Sequence, residues 1–162
     1  NIPYFAQRFA KSGSPVSLPP AEILEILHID VKRRGKEMAG NRILIIDDDE
    51  DLHTLYGLYL KGENFEIMRA FNGKQGLEAV EKEKPDLIVL DMIMPVMDGE
   101  EFFVKLRTEK GIKDIPVIIA SVNEKIPQKL LDLGNIYTTL KKPFTIETLV
   151  GKIREALAKS QK

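Results

Sequence analysis

From Arg42 onward, short apolar runs alternate with longer segments whose apolar residues recur at helical spacing. The runs Ile43 to Ile46, Glu66 to Ala70, Leu87 to Leu90, Val117 to Ala120 and Tyr137 to Leu140 are short and mostly rich in Ile, Leu and Val. That combination predicts buried strands. The segments Glu50 to Lys61, Lys74 to Lys84, Gly99 to Lys110, Lys125 to Leu133 and Thr145 to Lys159 read as helices. In the last of these, Ile146, Leu149, Val150, Ile153, Ala156 and Leu157 mark an apolar face, and Lys, Glu and Arg fill the other. Regular alternation of strand and helix predicts an α/β fold, a doubly wound five-stranded parallel sheet with helices on both faces.

Residues 1–40 break this pattern. Pro3, Pro15, Pro19 and Pro20 flank the loop-like Ser12-Gly13-Ser14, and Leu18-Pro19-Pro20-Ala21-Glu22 resembles the start of a helix running to about Ile29. The expected organisation is an N-terminal extension or linker with a short amphipathic helix over 1–40, followed by one domain over 41–162. The stripe Ile23, Leu24, Ile26 and Leu27 needs a surface to cover, either its own domain, a second copy in a homodimer, or a partner. Lys32-Arg33-Arg34-Gly35-Lys36 reads as a solvated basic linker.

Composition narrows the function classes. A chain of 162 residues with 43% apolar content can bury one core but not two ordinary ones. Lys and Arg number 24 against 25 Asp and Glu, for a net charge of −1, so a nucleic-acid partner is not expected. The absence of cysteine excludes disulfides, thiolate zinc sites and cysteine nucleophiles, and a cytoplasmic location is expected. Asp91 interrupts the most hydrophobic stretch, Leu87 to Met97, leaving no run near the ~18 residues that span a bilayer, so no membrane insertion is expected. The chain opens on Asn1 rather than Met, and is expected to follow a removed tag or to continue upstream.

The candidate chemistry lies at strand ends. The first strand runs into Asp47-Asp48-Asp49-Glu50-Asp51, and the third ends at Asp91. Open parallel sheets bind ligands beyond the carboxyl ends of their strands. Clustered carboxylates repel, by about 4 kcal/mol for unit charges about 4 Å apart at an effective dielectric near 20, so a cation is required. Oxygen donors without a neighbouring His or Cys favour Mg²⁺. Helix capping explains Asp49, Glu50 and Asp51, but not Asp91, which is followed by apolar residues and Pro95. Ser121 after the fourth strand adds a hydroxyl, and Lys142 after the fifth adds a positive charge. Pro143 restricts Lys142 to extended geometry, and a cis bond there would fix where Lys142 points.

Four stretches in order, Ile45 to Glu50, Leu90 to Gly99, Pro116 to Ser121 and Lys142-Pro143-Phe144-Thr145, resemble the receiver domains of bacterial response regulators. The resemblance covers about residues 41 to 160 and implies the flavodoxin-like receiver fold. By position it makes Asp91 the phosphoacceptor. It makes Asp47 and Asp48 the acidic pair for Mg²⁺, with Asp91 itself and the carbonyl of Ile93 as further ligands. Ser121 would engage the phosphoryl group and Lys142 would be its basic partner. The implied donor is a sensor histidine kinase or a histidine phosphotransfer protein, and the implied consequence is altered binding of an unidentified output protein. On this reading the chain is a two-component phosphorelay switch rather than an enzyme, though it assists its own Mg²⁺-dependent phosphorylation and dephosphorylation.

The sequence departs from the family at one place, for Thr139 stands three residues before Lys142 where a Tyr or Phe is usual. Tyr137, two residues earlier, is expected on the same strand face about 6–7 Å away, where it could substitute or serve as an ordinary strand residue. Ile93 offers no hydrogen bond to water, and the branched Val122 narrows the approach, so a long-lived phospho-Asp91 is expected, with Asn123 the remaining polar neighbour. A phosphatase would require a second general acid and a substrate cap. A nucleotide site would require a glycine-rich loop where the acids stand, and a receiver-like binder without phosphorylation would lack site residues.

Overall fold

The first strand, β1 (Asn41–Ile46), is apolar from Ile43 onward and pairs with two neighbours, so its backbone is satisfied on both edges. The structure is a computed structural model that describes residues 40–60, 63–122 and 125–160. After β1 come α1 (Glu50–Leu60), β2 (Phe65–Ala70), α2 (Gly73–Lys82), β3 (Leu87–Asp91) and α3 (Gly99–Thr108). β4 (Val117–Ser121), α4 (Gln128–Leu133), β5 (Ile136–Lys141) and α5 (Ile146–Ser160) follow. All strand pairs are parallel, in the order β2-β1-β3-β4-β5.

Hydropathy and position in the sheet agree. β3 and β4 are buried at every residue and lie inside the sheet, whereas the edge strands β2 and β5 carry mixed burial. Alternate side chains feed two cores. Ile43, Ile45, Leu87, Val89, Ile118 and Ala120 pack under α1 and α5, through residues such as Tyr56, Leu60, Leu149 and Ile153. Leu44, Ile46, Ile88, Leu90, Val117 and Ile119 pack under α2, α3 and α4, through Val80, Phe102, Phe103, Leu106 and Leu130. The doubly wound sheet predicted from the sequence is the observed fold.

Helix starts follow cap chemistry. Asp49 Oδ1 accepts the N–H groups of Asp51 and Leu52, at 2.9 and 3.1 Å. Asn72 and Asp98 do the same for Gln75 and Glu101 at the heads of α2 and α3. Expected and observed boundaries differ most at α4, which begins at Gln128 rather than Lys125. Pro127 stands at its N-cap, and the residue before a proline is kept out of helical geometry. Gly134, at a φ of 82°, ends that helix. Among the described residues, no helix is long and apolar enough to cross a membrane. The helix expected over Ala21 to Ile29, and Asn123, lie outside the described residues.

Candidate functional site

Strand register brings the candidate residues together. Ile46 pairs with Leu90, so Asp47 and Asp91 leave β1 and β3 side by side. Asp91 pairs with Ala120, which places Ser121 one step further along the neighbouring strand. Ser121 in turn pairs with Lys141, and its carbonyl accepts the N–H of Lys142 at 2.9 Å. Parallel pairing therefore converts four strand ends, distant in sequence, into one carboxyl-edge pocket. The Lys142–Pro143 bond is cis.

Oxygen atoms of Asp47, Asp48 and Asp91 lie within 4.8 Å of one another. Asp47 and Asp91 are buried and Asp48 is exposed, so the cluster opens to solvent on one side. Lys142 Nζ sits 2.8 Å from Asp47 Oδ2 and 3.3 Å from Asp91 Oδ2, bridging two of the acids. The other Asp47 oxygen accepts the Asp49 N–H at 3.0 Å, and Asp91 Oδ1 accepts the Met92 N–H at 2.8 Å. The Ile93 backbone favours the charged form of Asp91, which places that part of the chain at the pocket, while the Ile93 side chain is exposed. Ser121 is buried beside them.

The electrostatics follow from this crowding. Burial, seconded by the Asp47 charge, holds the Asp91 carboxyl above the ordinary carboxylate range against the pull of Lys142. Burial pulls the Lys142 ammonium down, but its hydrogen bond and charge contact with Asp47, joined by Asp91, outweigh that and raise it. Burial and then the Asp47 charge push the Tyr56 phenol up to about 12, so its hydroxyl keeps its proton. An all-oxygen donor set of three carboxylates fits a hard divalent cation.

Three residues near the pocket were not singled out from the sequence. Tyr56 and the buried His53 come from α1, and His53 Nε2 lies 2.8 Å from the Asp47 carbonyl oxygen. With Leu60 they fall at helical spacing, which marks a buried face but not what that face meets. Gly99 opens α3 against the acceptor strand, where a Cβ would stand 2.2 Å from the Asp91 carbonyl oxygen. Its N–H donates to the Met92 carbonyl at 3.1 Å, so only a residue without a side chain permits this approach.

Tyr137 does not share a face with Thr139. The register of β4 and β5 shifts between Val117 and Ile118, so Val117 meets Ile136, Ile118 meets Thr138, and Tyr137 is the extra residue. Thr139 pairs with Ile119, whose side chain belongs to the α2–α4 core. Tyr137 packs on the opposite core, where its hydroxyl lies 3.2 Å from Glu155 Oε2 and Lys159 Nζ stands 5.1 Å over its ring. The two-residue spacing fails because a bulge resets the alternation.

Comparison with known proteins agrees with the fold. The family described as the response regulator receiver domain matches residues 43–154. The chain is 37% identical over 123 residues to the uncharacterized transcriptional regulatory protein YkoG of Bacillus subtilis, covering 74% of this chain and 52% of that protein. It is 32% identical to the alkaline phosphatase synthesis transcriptional regulatory protein PhoP of the same organism, covering 75% and 50%. The chain thus spans about half the length of these curated relatives. Among solved structures, a Francisella response regulator receiver domain superimposes with a TM-score of 0.67 at 26% identity, covering 75% of this chain and 99% of that one. A two-component response regulator from Clostridium difficile gives 0.66 at 26% identity, covering 75% and 99%. The chain belongs to the response regulator receiver domain family.

Proposed function

We propose that Asp91 accepts a phosphoryl group from a sensor histidine kinase or a histidine phosphotransfer protein, and that the phosphorylated chain changes its affinity for an output partner. The observation that carries this reading is the clustering of the Asp47, Asp48 and Asp91 oxygens within 4.8 Å, with Lys142 bridging Asp47 and Asp91. Asp47, Asp48, Asp91 and the Ile93 carbonyl would hold Mg²⁺. When bound, Mg²⁺ supplies positive charge against the acids and a fixed place for a phosphoryl oxygen. An Asp91 carboxylate oxygen forms the new P–O bond while the P–N bond of the donor phosphohistidine breaks and its electron pair returns to the imidazole. In this reading Lys142 meets the charge on the transferred oxygens, and the Ser121 hydroxyl donates to one of them. A contact made only in the phosphorylated state biases a conformational equilibrium, so Ser121 and Lys142 connect chemistry to switching.

Residues 41–162 form the receiver in this reading and residues 1–40 an extension. The transcriptional regulators among the relatives suggest regulation of transcription as the eventual output. Acetyl phosphate tests the reading without a cognate kinase. Phosphate should be incorporated only with Mg²⁺ present, and Asp91→Asn should abolish it. Undiminished incorporation into that variant overturns the assignment.

A further inference from the structure

His53 is a buried titratable side chain that the chemistry above does not use. It lies on α1, six residues after Asp47, and is 2% exposed. Its Nε2 stands 2.8 Å from the Asp47 backbone carbonyl oxygen, and its Nδ1 is buried with no hydrogen-bond partner. The ring is tilted against Phe71 at 4.6 Å between centroids, at the end of β2. A carbonyl oxygen can only accept, so the hydrogen must sit on Nε2. A lone pair left without a donor on Nδ1 is a smaller loss than a buried N–H without an acceptor. One tautomer thus satisfies the arrangement, and its ring plane is held by Phe71.

We propose that His53 is a positioning residue that locks the β1–α1 turn so that Asp47 and Asp48 present their carboxylates in a metal-ready geometry. The proposal rests on the metal-binding role given to those residues above. Every polar group of Asp47 is engaged, one within its own turn and the others from β2, from α1 and from Lys142 after β5. Its N–H donates to Ala70 of β2 at 3.1 Å, and its side-chain oxygens take Asp49 N–H and Lys142 Nζ. The His53 imidazole takes the carbonyl, the last group able to let the peptide plane between Asp47 and Asp48 rotate. Since that plane sets the direction in which Asp48 leaves the strand, α1 reaches the metal ligands through one imidazole. Partners that orient ligands in this way influence metal affinity without touching the metal.

The test has two independent parts. Long-range ¹H–¹⁵N spectra of the metal-free wild-type protein should show the hydrogen of His53 on Nε2, and a hydrogen on Nδ1 overturns the proposal whatever the metal does. Mg²⁺ affinity is then measured by calorimetry in the wild type, His53→Met and His53→Gln, with thermal unfolding to confirm that each variant folds. His53→Met keeps the volume and loses the donor, and should weaken Mg²⁺ binding about tenfold, at the low end for lost orienting partners. His53→Gln restores an N–H and should recover most of that loss. Unchanged affinity in a folded His53→Met protein, or equal loss in both variants, overturns the proposal. Wild-type protein that binds no Mg²⁺ at all would instead sink the proposed function, and the tautomer would still decide whether His53 holds the turn.

Discussion

Lys142→Met removes the cation that the pocket carries without metal, and keeps most of the stem. Unit charges 2.8 and 3.3 Å apart attract by about 6 and about 5 kcal/mol at an effective dielectric near 20. Desolvation of the ammonium and carboxylates cancels much of this, and removing one partner of a buried pair costs about 3–5 kcal/mol. The Lys142 side chain keeps 20% of its exposure, which lowers the expected loss to about 2–3 kcal/mol. At about 4 °C per kcal/mol for a domain of this size, Tm in EDTA should fall by about 8–12 °C. The folded-state pKa of Lys142 is raised, so its contribution is complete below the ordinary lysine value of 10.5 and is lost as pH rises through the raised value. The gap between wild type and variant should therefore be constant near neutrality and close at strongly alkaline pH. Mg²⁺ should raise the Tm of the variant at least as much as that of the wild type, because the divalent ion then meets three acids with no competing ammonium. Thermal unfolding followed by circular dichroism, with EDTA or with Mg²⁺, measures all of this. An unchanged Tm in EDTA would refute the view that Lys142 offsets the repulsion of the acids.

Asp91→Asn should stabilise the metal-free protein at neutral pH. The raised pKa of Asp91 means that its favourable contribution is present below the ordinary value of 3.8 and lost as pH rises through the folded value, so urea unfolding should show the gain shrinking toward acid pH. Gly99→Ala forces a Cβ to within 2.2 Å of the Asp91 carbonyl oxygen and should cost about 2–3 kcal/mol, with slower phosphorylation, by urea unfolding and phosphate incorporation. Val122 is 55% exposed at the rim of an apolar pocket it shares with Leu52, Tyr56, Lys142, Pro143 and Phe144. If its branched side chain restricts water, Val122→Ala should shorten the lifetime of the phosphorylated protein with Mg²⁺ and no phosphatase. Unchanged decay removes steric gating.

The candidate site was legible because in a parallel sheet a residue's place in sequence, at the carboxyl end of its strand, is also its place in space. Asp47, Asp91, Ser121 and Lys142 each follow an apolar run, and register then sets them side by side. What escaped depends on contacts between elements. His53 could be read as facing inward on α1, but its bond to the Asp47 carbonyl depends on how α1 docks. Tyr137 escaped because one extra residue between paired strands reverses the alternation, and nothing in Ile136-Tyr137-Thr138 marks where it sits. The late start of α4 was readable, since Pro127 carries the signal, but the apolar spacing from Lys125 obscured it.

The central claim is that the carboxylate of Asp91 carries the phosphoryl group, and reductive trapping addresses that atom directly. An acyl phosphate is cleaved by borohydride to an alcohol, so the phosphorylated aspartate becomes homoserine. After phosphorylation with acetyl phosphate and Mg²⁺, reduction and peptide sequencing by mass spectrometry, homoserine should be found at position 91 and at no other aspartate. Homoserine at Asp47 or Asp48, or none in protein shown to carry phosphate, would contradict the account.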